Sequence, residues 1–122
     1  MEEISILGRT IELQPLIRQQ LKGITIGDSL AYQFYAGDYH GIRLIFLKSR
    51  SGNPSPKVCA ITANRVSDIM RCPIVFILES SPSYERQRLI DKDVFFVMGD
   101  KFANLPMLVA NERIRKSRLA KR

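Results

Sequence analysis

The sequence predicts an α/β protein of three layers, α/β/α, built on a mixed sheet, and three observations carry that reading. An alternating segment, SLAYQFYA (29–36), and a β-branched and aromatic run, IRLIFLK (42–48), flank a short turn with glycine at both ends. Two unbroken apolar runs, PIVFILE (73–79) and VFFVM (94–98), have the length and pattern of strands covered on both faces. Each of these runs follows a segment of helical period, so a right-handed crossover would lay the two strands parallel. The expected sheet is an N-terminal β-hairpin followed by two parallel crossover strands, with helices over both faces.

Taken in order, RTIELQPLIRQQL (9–21) spaces its apolar residues from Leu13 to Leu21 at helical period, which predicts a helix over about 14–22. Pro15 would sit in its first turn and Gly23 would end it. The hairpin follows, with residues 37–41 as its turn. Residues 49–57, SRSGNPSPK, lack any apolar side chain and predict a loop. Over 58–70, Val58, Ile61, Val66, Ile69 and Met70 fall on or near one helical stripe, and Pro73 marks the exit. After the 73–79 strand, Ser80, Ser81, Pro82 and Ser83 offer an N-cap and a first-turn proline for a charged helix over 83–91. Pro106 cannot donate to a sheet ladder, so FANLPMLVA (102–110) belongs at an edge or outside the sheet.

The chain has 122 residues, one domain's worth, and can bury roughly two-thirds of its unfolded surface. With 45% hydrophobic and 25% charged residues, global disorder and a collagen-like fibre are excluded. No apolar run approaches the roughly 18 residues that span a bilayer, and the start, MEEISILGRT, is acidic where a secretory signal would be basic. A cytoplasmic protein without membrane contact is the expectation.

Charge is unevenly placed. Residues 111–122, NERIRKSRLAKR, hold six basic side chains and one acid, whereas residues 1–110 hold 13 basic and 11 acidic ones. Residues 1–110 therefore read as one nearly balanced α/β domain, and 111–122 as a basic tail or linker. The tail's Arg113, Arg115, Lys116, Arg118, Lys121 and Arg122 are candidate phosphate contacts. Arg86 and Arg88, close to Tyr84, form a second basic and aromatic candidate patch.

Catalysis is poorly served. Cys59, Cys72 and His40 are too few for a structural zinc site and make a poor catalytic one, so no metal ligand, cofactor-binding residue or cofactor is assigned. A helix, a hairpin and a β-α-β unit is distantly like the restriction-endonuclease core, which needs an acid on one strand and an acid-x-Lys pair on the next. Asp38 and Lys48 could supply two parts, but Phe46 stands where the second carboxylate is required. G-x-x-x-x-G-K-[S/T], G-x-G-x-x-G and G-x-S-x-G are all absent. No catalytic residue is assigned, and the expectation is a protein that is not an enzyme.

Over residues 73–106, PIVFILESSPSYERQRLIDKDVFFVMGDKFANLP resembles a block in the N-terminal domain of bacterial MarR-like, winged-helix transcriptional regulators. The residues that carry it are Tyr84, Arg86, Arg88, Leu89, Ile90, Val94, Phe96, Gly99, Leu105 and Pro106. The resemblance implies an N-terminal α/β domain next to a separate C-terminal DNA-binding domain, for which 111–122 would be the linker. It implies a non-catalytic role in sensing, oligomerisation (a homodimer included) or ancillary nucleic-acid contact. DNA would be the partner, through the full-length protein or weakly through the tail. The alternative is a degenerate nuclease-like domain that binds nucleic acid, associated with a toxin–antitoxin or mobile-element system.

Overall fold

The computed structural model describes residues 2–106, and within them the chain forms one mixed seven-stranded sheet whose spatial order follows the chain, β1 to β7. The strands are β1 (Glu2–Ile6), β2 (Arg9–Pro15), β3 (Tyr32–Tyr39), β4 (Ile42–Ser49), β5 (Ile74–Leu78), β6 (Phe95–Met98) and β7 (Phe102–Asn104). Three helices are described: α1 (Ile26–Ala31), α2 (Pro56–Met70) and α3 (Ser83–Asp91). Strands β4, β5 and β6 run parallel, and every other neighbouring pair is antiparallel.

The parallel centre follows the sequence reading. Val75, Phe76, Phe96 and Val97 are buried in the adjacent strands β5 and β6, and Val94 is buried just ahead of β6, while Ile77 is only half-buried. β7 is the antiparallel edge, and Pro106 lies just beyond it, where no ladder amide is needed. Ser55 caps α2 by accepting from the Val58 amide at 3.2 Å, with Pro56 in the first turn, so this helix begins two residues before its apolar stripe.

The N-terminal third departs from expectation. The helix expected over 14–22 is instead the end of β2 followed by one 3-10 turn, Arg18–Leu21, closed at Gly23 with φ +89°. Period two wins here because Ile11 and Leu13 point into the core while Thr10, Glu12 and Gln14 face out. Residues 2–15 make a hairpin that the helical reading concealed. The first strand of the central hairpin begins at Tyr32, not at Ser29, because Thr25 caps α1 through the Asp28 amide at 3.1 Å. That helix is anchored by Arg65 of α2, whose Nε and Nη2 both donate to the Asp28 carboxylate at 2.8 Å. The turn is also tighter than 37–41. Gly37 and Asp38 belong to β3, and only His40 and Gly41 turn, with φ of +52° and +77° as a two-residue primed turn demands.

Both faces of the sheet are buried, by different means. On one face Phe34, Leu47, Phe76 and Phe96 lie beneath Cys59 and Val66 of α2 and Leu89 of α3. On the other face Tyr35, Tyr39, Leu44, Phe46, Val75 and Val97 meet Ile6, Ile11 and Leu13 of the β1–β2 hairpin, together with Leu105. Helices were expected over this second face; among the described residues the sheet's own hairpin takes their place. The sheet curls for this purpose. The Leu7 amide donates to the Asp100 carbonyl at 2.8 Å, and the Asp100 carboxylate accepts from the Gly8 amide and the Ser5 hydroxyl, so the β1–β2 turn is pinned to the β6–β7 turn. These two bonds hold the Asp100 carboxyl below its ordinary value.

Candidate functional site

Both crossovers lie on the same face of the sheet, so α2 and α3 begin side by side at the carboxyl ends of β4 and β5. The loop between β4 and α2 is tied to the end of β5 by a reciprocal pair. Asn53 Nδ2 donates to the Glu79 carbonyl at 2.9 Å, and the Glu79 amide donates to Asn53 Oδ1 at 2.8 Å. Between the two helix starts lies a cleft of about 460 Å³, whose wall includes Asn53, Ser55, Ser81, Tyr84, Glu85 and Arg88. Lys48, at the end of β4, borders a smaller adjoining hollow.

The two arginines of α3 leave the helix on different sides, because two positions correspond to about 200° of rotation. Arg88 lines the cleft and pairs with Glu85 at 3.6 Å, a solvent-exposed contact of little energetic weight. Arg86 lies across the Phe102 ring of β7, 3.8 Å from its centroid, and donates to the Ser81 carbonyl at 2.8 Å. The serines before α3 do not cap it as expected: Pro82 occupies the N-cap position without a side-chain bond, and the Ser81 hydroxyl turns to Met98 Sδ at 3.5 Å. Phe102 and Leu105 are the two large apolar side chains of the 102–105 segment. Leu105 is fully buried, whereas Phe102 lies beneath Arg86 and stays 44% exposed.

Asp38 and Lys48 cannot share a site. Asp38 pairs in register with Arg43 and Lys48 with Gln33, five residues further along β3, or about 17 Å. Asp38 also follows the parity of Phe34 and Ala36 on the helix-covered face, while Lys48 follows Leu44 and Phe46 on the hairpin face. Phe46 itself is fully buried. His40 is an exposed turn residue, edge-on to Tyr39, with Arg9 Nη1 3.2 Å from its Nδ1.

The titratable groups that the fold perturbs have structural explanations. Burial pushes the Cys59 thiol up to about 12, far from a thiolate nucleophile. The hydrogen bonds from Arg65 hold the Asp28 carboxyl below its ordinary value of 3.8. Desolvation raises Tyr32 and Tyr35, the latter reinforced by its hydroxyl bond to Glu2 at 3.0 Å. Among the described residues no three His, Cys, Asp or Glu side chains gather to hold a metal, and none of the described helices is long and apolar enough to cross a membrane. The cleft and the α3 rim carry arginine side chains, hydroxyls, aromatic rings and the Glu85 carboxylate.

Of the residues singled out in the sequence, the structure places Arg86 and Arg88 on this rim. Arg113, Arg115, Lys116, Arg118, Lys121 and Arg122 lie outside the described residues. Phe102 and Asn53 were missed as members of the site. Phe102 had a readable signal, an aromatic at the start of an edge segment. Asn53 had none, since its partner is a backbone group 26 residues away. Comparison with family models, curated proteins and solved structures finds no match to this chain.

Proposed function

We propose that this chain is a non-catalytic domain of a bacterial transcriptional regulator that makes an ancillary contact with nucleic acid. One observation carries the reading. The block behind the resemblance sends Leu89, Val94, Phe96 and Leu105 into the two cores, while its Tyr84 and Arg88 are exposed and its Arg86 is half-buried on α3. Framework and display are thus divided within one block, as expected for a surface that meets a partner. The charge at 111–122 supports the same reading, since six basic residues near the end of the chain would add phosphate contacts.

The order hairpin, helix, parallel strand, helix, parallel strand supports a distant restriction-endonuclease likeness as the accompanying fold reading. The helical third layer that this likeness asks for has no counterpart among the described residues, where the β1–β2 hairpin takes that face. The separation of Asp38 from Lys48 tells against a nuclease-like site.

Fluorescence anisotropy of a labelled duplex, titrated with the full chain over a range of salt, tests the proposal. Binding indifferent to sequence is expected. For about four to six phosphate contacts, log K should fall against log salt with a slope of roughly −4 to −5. Absence of binding to any nucleic acid at low salt would refute the reading, and magnesium-dependent cleavage would replace it with an enzyme.

A further inference from the structure

An arginine–aromatic stack and an exposed tyrosine one helical turn from a second arginine lie on opposite sides of α3. Toward β7, Arg86 covers the Phe102 ring and is held there by the Ser81 carbonyl. Toward α2, Tyr84 and Arg88 stand four residues apart, neighbours on the helix surface at the mouth of the cleft. Tyr84 is 63% exposed and Phe102 44%, the two exposed rings of Tyr or Phe among the described residues. A ring left in water contributes little to the fold, and the two core clusters contain neither of these. Arg86 is bonded to a ring and a carbonyl, so its positive charge is not neutralised by these contacts; Arg88 is partly offset by Glu85.

Exposed rings beside one arginine whose contacts to a ring and a carbonyl are neutral, and another only partly offset by Glu85, suit one ligand chemistry particularly well. Every nucleobase has a π-face that stacks on Tyr, Phe or a guanidinium plane, and the phosphate linking two bases accepts from arginine. A duplex keeps its bases inside its own stack and cannot offer those faces. We propose that α3 and β7 form a stacking site for single-stranded nucleic acid, with bases on Tyr84 and on the Arg86–Phe102 stack and the backbone against Arg86 and Arg88. This rests on the nucleic-acid reading above and narrows it to unpaired strands.

The test uses the full chain, a fluorescein-labelled single-stranded oligothymidylate, and a duplex of equal length. Tyr84→Ala and Phe102→Leu should each weaken single-strand binding by about 5- to 150-fold, the usual worth of one base–aromatic stack. Tyr84→Phe should retain it, and duplex affinity should change by less than about twofold, because phosphate contacts alone hold a duplex. Tyr84 is mostly exposed, so its replacement leaves the core intact, and a melting curve checks both variants. Single-strand affinity no higher than duplex affinity, or unmoved by both substitutions, overturns the stacking site. So does polyglutamate competing as well as unlabelled oligothymidylate, since charge alone would then be read. Duplex binding that survives such a result leaves the wider nucleic-acid reading standing, whereas absence of binding to either probe removes both.

Discussion

Truncating Leu105 tests whether the segment after β7 is part of the fold. Leu105 has no exposed surface and packs on the hairpin-covered face of the sheet in one cluster with Val97, Val75 and Ile6. Leu105→Ala removes three buried carbons, worth about 0.8 kcal/mol each, or roughly 2.4 kcal/mol in transfer alone. The unfilled cavity adds to this, because flanking strands held by ladder bonds relax only partly, and the total should reach about 3–4 kcal/mol. Urea unfolding followed by circular dichroism reads this as a lower midpoint at unchanged slope. In a chain of this size the melting temperature should fall by roughly 10–15 °C. Leu105→Met conserves volume and should cost less than about 1.5 kcal/mol. A loss below about 0.5 kcal/mol in Leu105→Ala would refute the docking of this segment and, with it, the second core as described.

Gly37→Ala would place a Cβ 3.0 Å from Leu13 Cδ2, 3.1 Å from Phe46 Cε1 and 3.2 Å from the Glu12 carbonyl. It should destabilise by about 1–3 kcal/mol in the same unfolding assay, and a neutral result would mean that β2 does not pass so close. Arg65→Met should weaken the anchor of α1, with a sign set by Asp28. A carboxyl held below 3.8 contributes stability that is full above that value and lost as pH falls through the lower folded value. The difference between variant and parent in unfolding free energy should therefore shrink in acid, and a pH-independent difference would exclude the ion pair as its cause. A thiol reagent under native conditions should label the half-buried Cys72 and spare Cys59 until the protein unfolds; equal rates would contradict the burial of Cys59. Deleting 111–122 should flatten the salt dependence of duplex binding and leave the melting temperature unchanged. An unaltered slope would move the phosphate contacts to Arg86 and Arg88.

Period and composition alone located β4, α2, β5, α3 and β6, because each has a single strong pattern and a proline or glycine at its boundary. The missing amide of Pro106 assigns 102–110 to an edge or to the outside of the sheet, and its described part, 102–106, supplies the edge strand β7. The helix expected over 14–22 was a misreading, because Ile11, Leu13, Leu16 and Leu21 satisfy both periods in part. Pairing with β1 and β3 decided for the strand there, and pairing is invisible in a local window. Ser29–Ala31 likewise follows its Asp28–Arg65 anchor, 37 residues distant in the chain, and not its own alternation. The covering of the second face was also a tertiary decision: the continuous apolar runs demanded cover on both sides, but a hairpin pinned at Asp100 meets that demand as well as a helix. At the candidate site the sequence marked Tyr84, Arg86 and Arg88 by type. Only the folded chain set Phe102 beneath Arg86 and opened the cleft beside Arg88, because a sheet register and two crossovers bring together residues that no spacing relates.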